Sequence, residues 1–166
     1  MLINKEELNE ILIQLELMFP NAGCELNYNN VFELLIAVML SAQTTDKSVN
    51  VVTPALFSKY PTVNDLAKAD VSDVKEIIQR LGLSSTKSKN IVAASIMLVQ
   101  KFDSVVPCDL NSLMSLPGVG RKTANVVMSE GFKIPRIAVD THVERVSKRL
   151  GINDLLYAIF LLQLNP

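Results

Sequence analysis

The sequence predicts an all-α fold, and three observations carry that prediction. Apolar residues recur at helical spacing along most of the 166 residues. Residues able to cap helices (Asn30, Thr45, Thr62, Ser72, Asp109 and Asp140) stand just ahead of those runs. No segment alternates apolar and polar residues well enough for a strand. With 49% hydrophobic and 20% charged residues the composition is globular, which excludes a disordered chain. The length suits one domain or two small ones.

The elements follow in order. Leu8, Ile11, Leu12, Leu15 and Met18 mark a first helix, which Phe19-Pro20 ends. Asn21 to Asn30 is a polar loop. Asn30 caps a helix over Val31 to Leu40, apolar on almost every side except Glu33 and therefore buried. Ser41 to Thr45 breaks the run. Thr45 caps a third helix through Lys59, in which Pro54 predicts a kink or a late start. Thr62 and Asp65 read as a capping box. Ser72 is expected to cap Asp73 to Leu81, and Gly82 stands where a left-handed C-cap belongs. A long helix follows to about Lys101. Asp109 caps a short helix to Ser115, and Arg121 opens one that reaches about Gly131. Asp140 caps the last clear helix, to Leu150, closed by Gly151. Val105-Val106 and Ile137-Ala138-Val139 are extended connectors.

Composition excludes several functional classes. Two cysteines, Cys24 and Cys108, exclude a disulfide scaffold and any site needing four thiolates from this chain. One histidine, His142, leaves no His-rich metal site. No N-terminal stretch reads as a signal peptide. No run reaches the roughly 18 apolar residues of a spanning helix; Leu155 to Leu164, the longest late candidate, is shorter and contains Gln163. The expected setting is cytoplasmic and reducing. The net charge of −1 hides an asymmetry, for residues 1–50 carry −5 and residues 116–151 carry +4. Such asymmetry suits an anionic partner on one face, although a solvated face gives the same pattern.

Leu116-Pro117-Gly118-Val119-Gly120 lies between two short helices. Pro117 fixes φ, and the two glycines permit positive φ and close backbone approach. Gly118, Val119 and Gly120 can then offer N–H groups beside the N-terminus of the helix that starts at Arg121. Such an arrangement binds phosphate without reading sequence. An ordinary tight turn fits the same pattern.

The residues that follow narrow the choice. Leu116-Pro117-Gly118-Val119-Gly120-Arg121-Lys122-Thr123-Ala124-Asn125-Val126-Val127, followed by Val139-Asp140-Thr141-His142-Val143-Glu144-Arg145-Val146, resembles the endonuclease III family of DNA glycosylases. Upstream, Phe32-Glu33-Leu34-Leu35-Ile36-Ala37-Val38-Met39-Leu40-Ser41-Ala42-Gln43-Thr44-Thr45-Asp46 extends the likeness. It spans about residues 5–152. The resemblance implies a helix-hairpin-helix glycosylase fold with a cleft between two helical domains. The six-helix domain would occupy residues 21–134, and residues 1–20 with 135–166 would form an incomplete second domain. It also implies base-excision repair of double-stranded DNA. An oxidised pyrimidine is removed, and the strand is then cut at the abasic site by β-elimination.

Site residues carry over position by position. Lys122 matches the family's nucleophile. The chemistry needs an amine, because only an amine can attack the sugar C1′ and form a Schiff base. The first turn of a helix and the adjacent Arg121 both disfavour a cation, which would help lower its pKa. Phosphate contact by Lys122 is the plainer alternative. Asp140 matches the catalytic carboxylate and is also a good N-cap. Gln43 matches the residue that fills the gap left by the extruded base, and Leu83 stands where the family has a wedge, although a residue anchoring its loop to the core fits Leu83 as well. Ser84 replaces an aromatic residue expected beside it. Asp46 resembles a pocket carboxylate, although capping or helix solvation explains it nearly as well, and His142 reads as structural. Gln43, Leu83, Gly118, Val119, Gly120 and Arg121 would bind DNA that carries a damaged base or an abasic site, with Lys122 and Asp140 as the catalytic pair.

The resemblance stops near Gly151. The family continues with further helices and four cysteines that hold a four-iron four-sulfur cluster. Neither Cys24 nor Cys108 lies in that region, so this chain is expected to carry no cluster and no metal. A truncated or frame-shifted end is expected, with the apolar stripe of the first helix partly exposed. A monomer is expected. A catalytically silent DNA-binding module remains the alternative reading.

Overall fold

Val31–Ser41 is the most apolar of the described helices, and nine consecutive residues, Phe32 to Leu40, are buried in it. A helix buried on every side needs neighbours on every side, and the rest of its unit supplies them. The computed structural model describes residues 5–152. In chain order the described helices are α1 (Lys5–Met18), α2 (Val31–Ser41), α3 (Asp46–Lys59), α4 (Val63–Ala67), α5 (Val71–Ile77), α6 (Ser84–Lys101), α7 (Leu110–Ser115), α8 (Arg121–Val126) and α9 (Thr141–Leu150). A π-helical turn, Val127–Gly131, continues α8. No strand occurs among the described residues. The apolar run Leu155 to Leu164 lies outside them.

Two compact units divide the chain. Glu25–Arg136 forms one, and Met1–Cys24 with Ile137–Pro166 forms the other. In the first unit, Leu34, Leu35, Ile36 and Leu40 of α2 are fully buried with Leu56, Leu66, Ile78, Ile91, Leu98, Leu113 and Leu116. Each such side chain contributes roughly 1.5–3 kcal/mol by leaving water. Glu33, the one charged residue of α2, is also buried. Its Oε2 accepts hydrogen bonds from the backbone N–H and side-chain amide of Asn29, at 2.8 and 2.9 Å. In the second unit, Leu12, Ile13, Leu17 and Met18 of α1 are exposed.

Most caps stand where the sequence places them. Asn30, Thr45, Asp109 and Asp140 each accept a hydrogen bond from the first turn of their helix. Thr62 and Asp65 form a reciprocal capping box. Gly151 closes α9 with φ +74°.

Four expectations need correction. The cap of α5 is Asp70 rather than Ser72: Asp70 Oδ1 accepts from the Ser72 N–H at 2.7 Å. Ser72 is itself a helical residue here, and its hydroxyl also donates to Asp70 Oδ1 instead of accepting from a later amide. The helix also ends early, at Ile77, and the Leu81 N–H donates to the Ile78 carbonyl in a following turn. The left-handed residue is therefore Leu83 (φ +59°), not Gly82. Pro54 brings no late start, since α3 begins at Asp46 and continues across it to Lys59. Pro54 itself lies on the exposed side of the helix, while Val52, Thr53 and Leu56 pin it to the core. Finally, the helix opened by Arg121 changes from α to π after Val126.

Candidate nucleic-acid interface

Two loops of the Glu25–Arg136 unit share one turn geometry. At the hairpin, Pro117 takes the second position, Gly118 the third with φ +78°, and the Val119 N–H donates to the Leu116 carbonyl at 3.1 Å. That is a type II turn, whose third residue must have positive φ. At the end of α2, Ala42 has φ −54° and ψ 118°, Gln43 has φ +55°, and the Thr44 N–H donates to the Ser41 carbonyl at 3.0 Å. The second loop is the same turn with glutamine where glycine belongs. A left-handed non-glycine residue costs about 1–2 kcal/mol.

Gln43 is exposed, so the strain serves no burial. Leu83 repeats the pattern. It is left-handed, a bulky aliphatic and 58% exposed. Its carbonyl accepts the N–H groups of Thr86 and Lys87, at 3.0 and 2.9 Å, and so starts α6. The two residues matched to base extrusion are thus both presented to solvent on strained backbone, an arrangement that clusters at functional sites.

One helix supports all three loops. Leu83 precedes the first turn of α6. Lys87, one turn on, is 6% exposed and donates from Nζ to Thr44 Oγ1 at 3.2 Å, beside Gln43. Burial pushes its ammonium group below the ordinary lysine range. Asn90, next along, stands against Gly118 of the hairpin. Lys87 is absent from the sequence-predicted site, yet a signal existed. It shares a helical face with Ile91, Ala94 and Leu98, all buried, where a cation is out of place.

At the hairpin, Val119 is buried while Gly118 and Gly120 are exposed. The expectation of three outward amides is therefore corrected: the Val119 N–H closes the turn and its side chain anchors it. Gly120 begins α8 without any side-chain cap. The first-turn N–H groups of a helix have no intrahelical partner, so this end can receive an anion. Arg121 and Lys122 stand exposed on that turn.

Asp140 belongs to the other unit. Its Oδ1 accepts the N–H groups of His142 and Val143, at 3.0 and 2.8 Å, so its capping role is filled. His142 is exposed, with Nδ1 3.0 Å from the Arg145 guanidinium. Asp46 opens α3 in its first turn. Among the described residues no three His, Cys, Asp or Glu side chains gather as metal ligands. Cys24 is half-buried and Cys108 exposed, in different units, and two thiols fall short of the roughly four that an iron–sulfur cluster needs. The residues of this chain do not fit that group.

Residues 36–155 match the HhH-GPD superfamily of base excision DNA repair proteins. The chain is 49% identical over 151 residues to the Endonuclease III of Bacillus subtilis, covering 91% of this chain and 69% of that protein. It is 45% identical over 147 residues to the Endonuclease III of Escherichia coli K12, covering 89% and 70%. A solved non-covalent Endonuclease III–DNA complex matches with a TM-score of 0.85 at 51% identity, over 90% of this chain and 70% of that one. A trapped Endonuclease III–DNA covalent intermediate matches equally well. A thermostable thymine-DNA glycosylase, 21% identical, shares the fold with a TM-score of 0.79.

Proposed function

The chain belongs to the HhH-GPD superfamily of base excision DNA repair proteins, with the all-helical fold of Endonuclease III, and from that premise we propose a bifunctional enzyme. It removes oxidised pyrimidines from double-stranded DNA and cuts the resulting abasic site by β-elimination. The observation that carries this reading is Lys122, an exposed amine on the first turn of an uncapped helix, behind a type II hairpin. A purely phosphate-binding hairpin could use any cation there. A lyase needs a primary amine, and the residue is lysine rather than a second arginine.

The steps assign one role to each residue. Gly118 permits the turn, Gly120, beside which a Cβ would meet nothing within 4 Å, lets the backbone approach a phosphate closely, and the first-turn amides with Arg121 hold it. Gln43 and Leu83 enter the stack and offset the stacking given up when the damaged nucleotide is extruded. The Lys122 amine, in its neutral form, attacks C1′, and the C1′–base bond breaks with its electron pair leaving on the base. Asp140 supplies negative charge beside the positive charge that develops on the sugar. The nitrogen gives up a proton, the C1′–O4′ bond opens with its electron pair going to O4′, and the Schiff base so formed makes a C2′ proton labile. Loss of that proton drives out the 3′ phosphate and cuts the strand. The action would be that of a monomer on DNA in the cytoplasm or nucleoid.

A similar protein has been solved as a trapped covalent intermediate with DNA, which supports the same test for this chain. Borohydride is added to the protein on abasic-site duplex, with Lys122→Ala beside it. Reduction of the Schiff base fixes a covalent adduct in the wild type, and the adduct vanishes in the variant. A folded wild type that gives no adduct leaves only a DNA-binding module.

A further inference from the structure

Lys87 is placed against two physical terms at once. It lies near the N-terminus of α6, where the helix dipole opposes a cation, and it is 6% exposed, where desolvation opposes one too. No carboxylate pairs with it among the described residues; its ammonium group donates instead to the Thr44 hydroxyl at 3.2 Å. Leucine or methionine would suit the buried face better. What lysine adds is a link. Its backbone N–H holds the Leu83 carbonyl at 2.9 Å, and its side chain reaches across to the residue after Gln43. The two strained, exposed residues are thereby tied to each other through one side chain.

We propose that Lys87 is a positioning residue that locks the Gln43 turn onto the Leu83 turn, so that both enter the duplex as one rigid unit. Rigidity matters because two independently mobile insertions would each lose conformational freedom on binding, whereas a pre-set pair has already lost it. The role in extrusion rests on the glycosylase reading above. The link itself does not.

Two variants test it: Lys87→Met, which keeps the buried stem, and Thr44→Val, which removes the acceptor from a half-buried loop residue and leaves the core intact. Hydrogen exchange in the free protein is read over residues 41–45. Both variants should exchange faster there, with exchange in α2 unchanged. Unaltered exchange in both overturns the link, whatever the enzyme does. On DNA, excision of an oxidised pyrimidine should slow about tenfold or more, the size of one charge-assisted hydrogen bond. Borohydride trapping on abasic DNA, which has no base to extrude, should fall less than about threefold. Lys87→Arg should recover part of the excision rate. Equal losses in excision and trapping overturn the positioning role. A wild type that yields no adduct refutes the glycosylase reading instead, and the exchange result still decides the link.

Discussion

A Cβ added to Gly118 would stand 2.6 Å from Asn90 Nδ2 and 2.8 Å from Asn90 Cβ. The second distance matters more, since Asn90 Cβ cannot swing away without moving α6. Gly118 also has φ +78°, so alanine there meets backbone strain and a steric clash together. Gly118→Ala should destabilise the protein by about 2–3 kcal/mol, a fall in Tm of roughly 5–10 °C at this size. Adding Asn90→Ala should restore only part of it, because the Cβ contact persists. Thermal unfolding of the single and double variants checks this. A Gly118→Ala protein as stable as wild type would show that the hairpin is not held against α6.

Strain at Gln43 and Leu83 predicts the opposite sign. Glycine relieves a left-handed backbone of about 1–2 kcal/mol and gives back part of that through unfolded-state entropy. Gln43→Gly and Leu83→Gly should each raise stability, by up to about 1 kcal/mol. Both should slow base excision, because the inserted side chain is gone. A variant that gains stability and loses activity marks strain kept for function. Loss of stability on both counts would mean that these side chains hold the fold.

Local chemistry explains what the sequence made legible. A cap is decided within three residues, and so Asn30, Thr45, Thr62, Asp109 and Asp140 can be read directly. The same locality misleads at α5, where two capping residues stand two positions apart and the earlier one, Asp70, accepts from both the N–H and the hydroxyl of Ser72. Gly82 misleads because glycine permits a left-handed turn without requiring one. Leu83 takes that conformation because its carbonyl starts α6 and Leu81 is anchored in the core. The π turn after Val126 has no comparable local marker. For the candidate site, the motifs mark Lys122, Gln43 and the hairpin, but the support that α6 gives them is tertiary. Lys87 reaches a residue 43 positions away, and no short-range pattern encodes that contact.

Asp140 combines a cap with a proposed charge, and two substitutions separate them. Asparagine caps a helix about as well as aspartate, whereas alanine loses about 1 kcal/mol. Asp140→Asn should therefore match wild type in Tm while base excision falls by an order of magnitude or more. Asp140→Ala should lose both. Single-turnover excision and thermal unfolding, run together, distinguish the outcomes. If Asp140→Asn excises normally, the carboxylate is a cap and nothing else.

Acid should weaken the Glu25–Arg136 unit through three carboxylates at helix starts. Asp73 Oδ2 accepts from Lys59 Nζ at 2.6 Å and from the Tyr60 hydroxyl at 3.2 Å, joining the end of α3 to the start of α5. The Lys59 hydrogen bond and its charge hold the Asp73 carboxyl below the ordinary value of 3.8. Ser72 does the same to Asp70, and Ser112 to Asp109. A carboxyl with a depressed folded pKa binds its proton less tightly than in the unfolded chain. The stability it adds is complete above the unfolded pKa and is lost as pH falls through the folded one. From these groups Tm should be level above about pH 5 and decline below about pH 4. Lys59 runs the other way: its raised pKa means its share is present at neutral pH and lost only above the ordinary lysine value of 10.5. Because the Lys59–Asp73 pair is about half exposed, added salt should shrink its contribution. The Tm difference between wild type and Asp73→Asn should thus be largest near neutral pH and low salt, and close up as the pH drops past 4. Parallel Tm curves for the two proteins between about pH 7 and pH 3 would remove Asp73 from the acid transition.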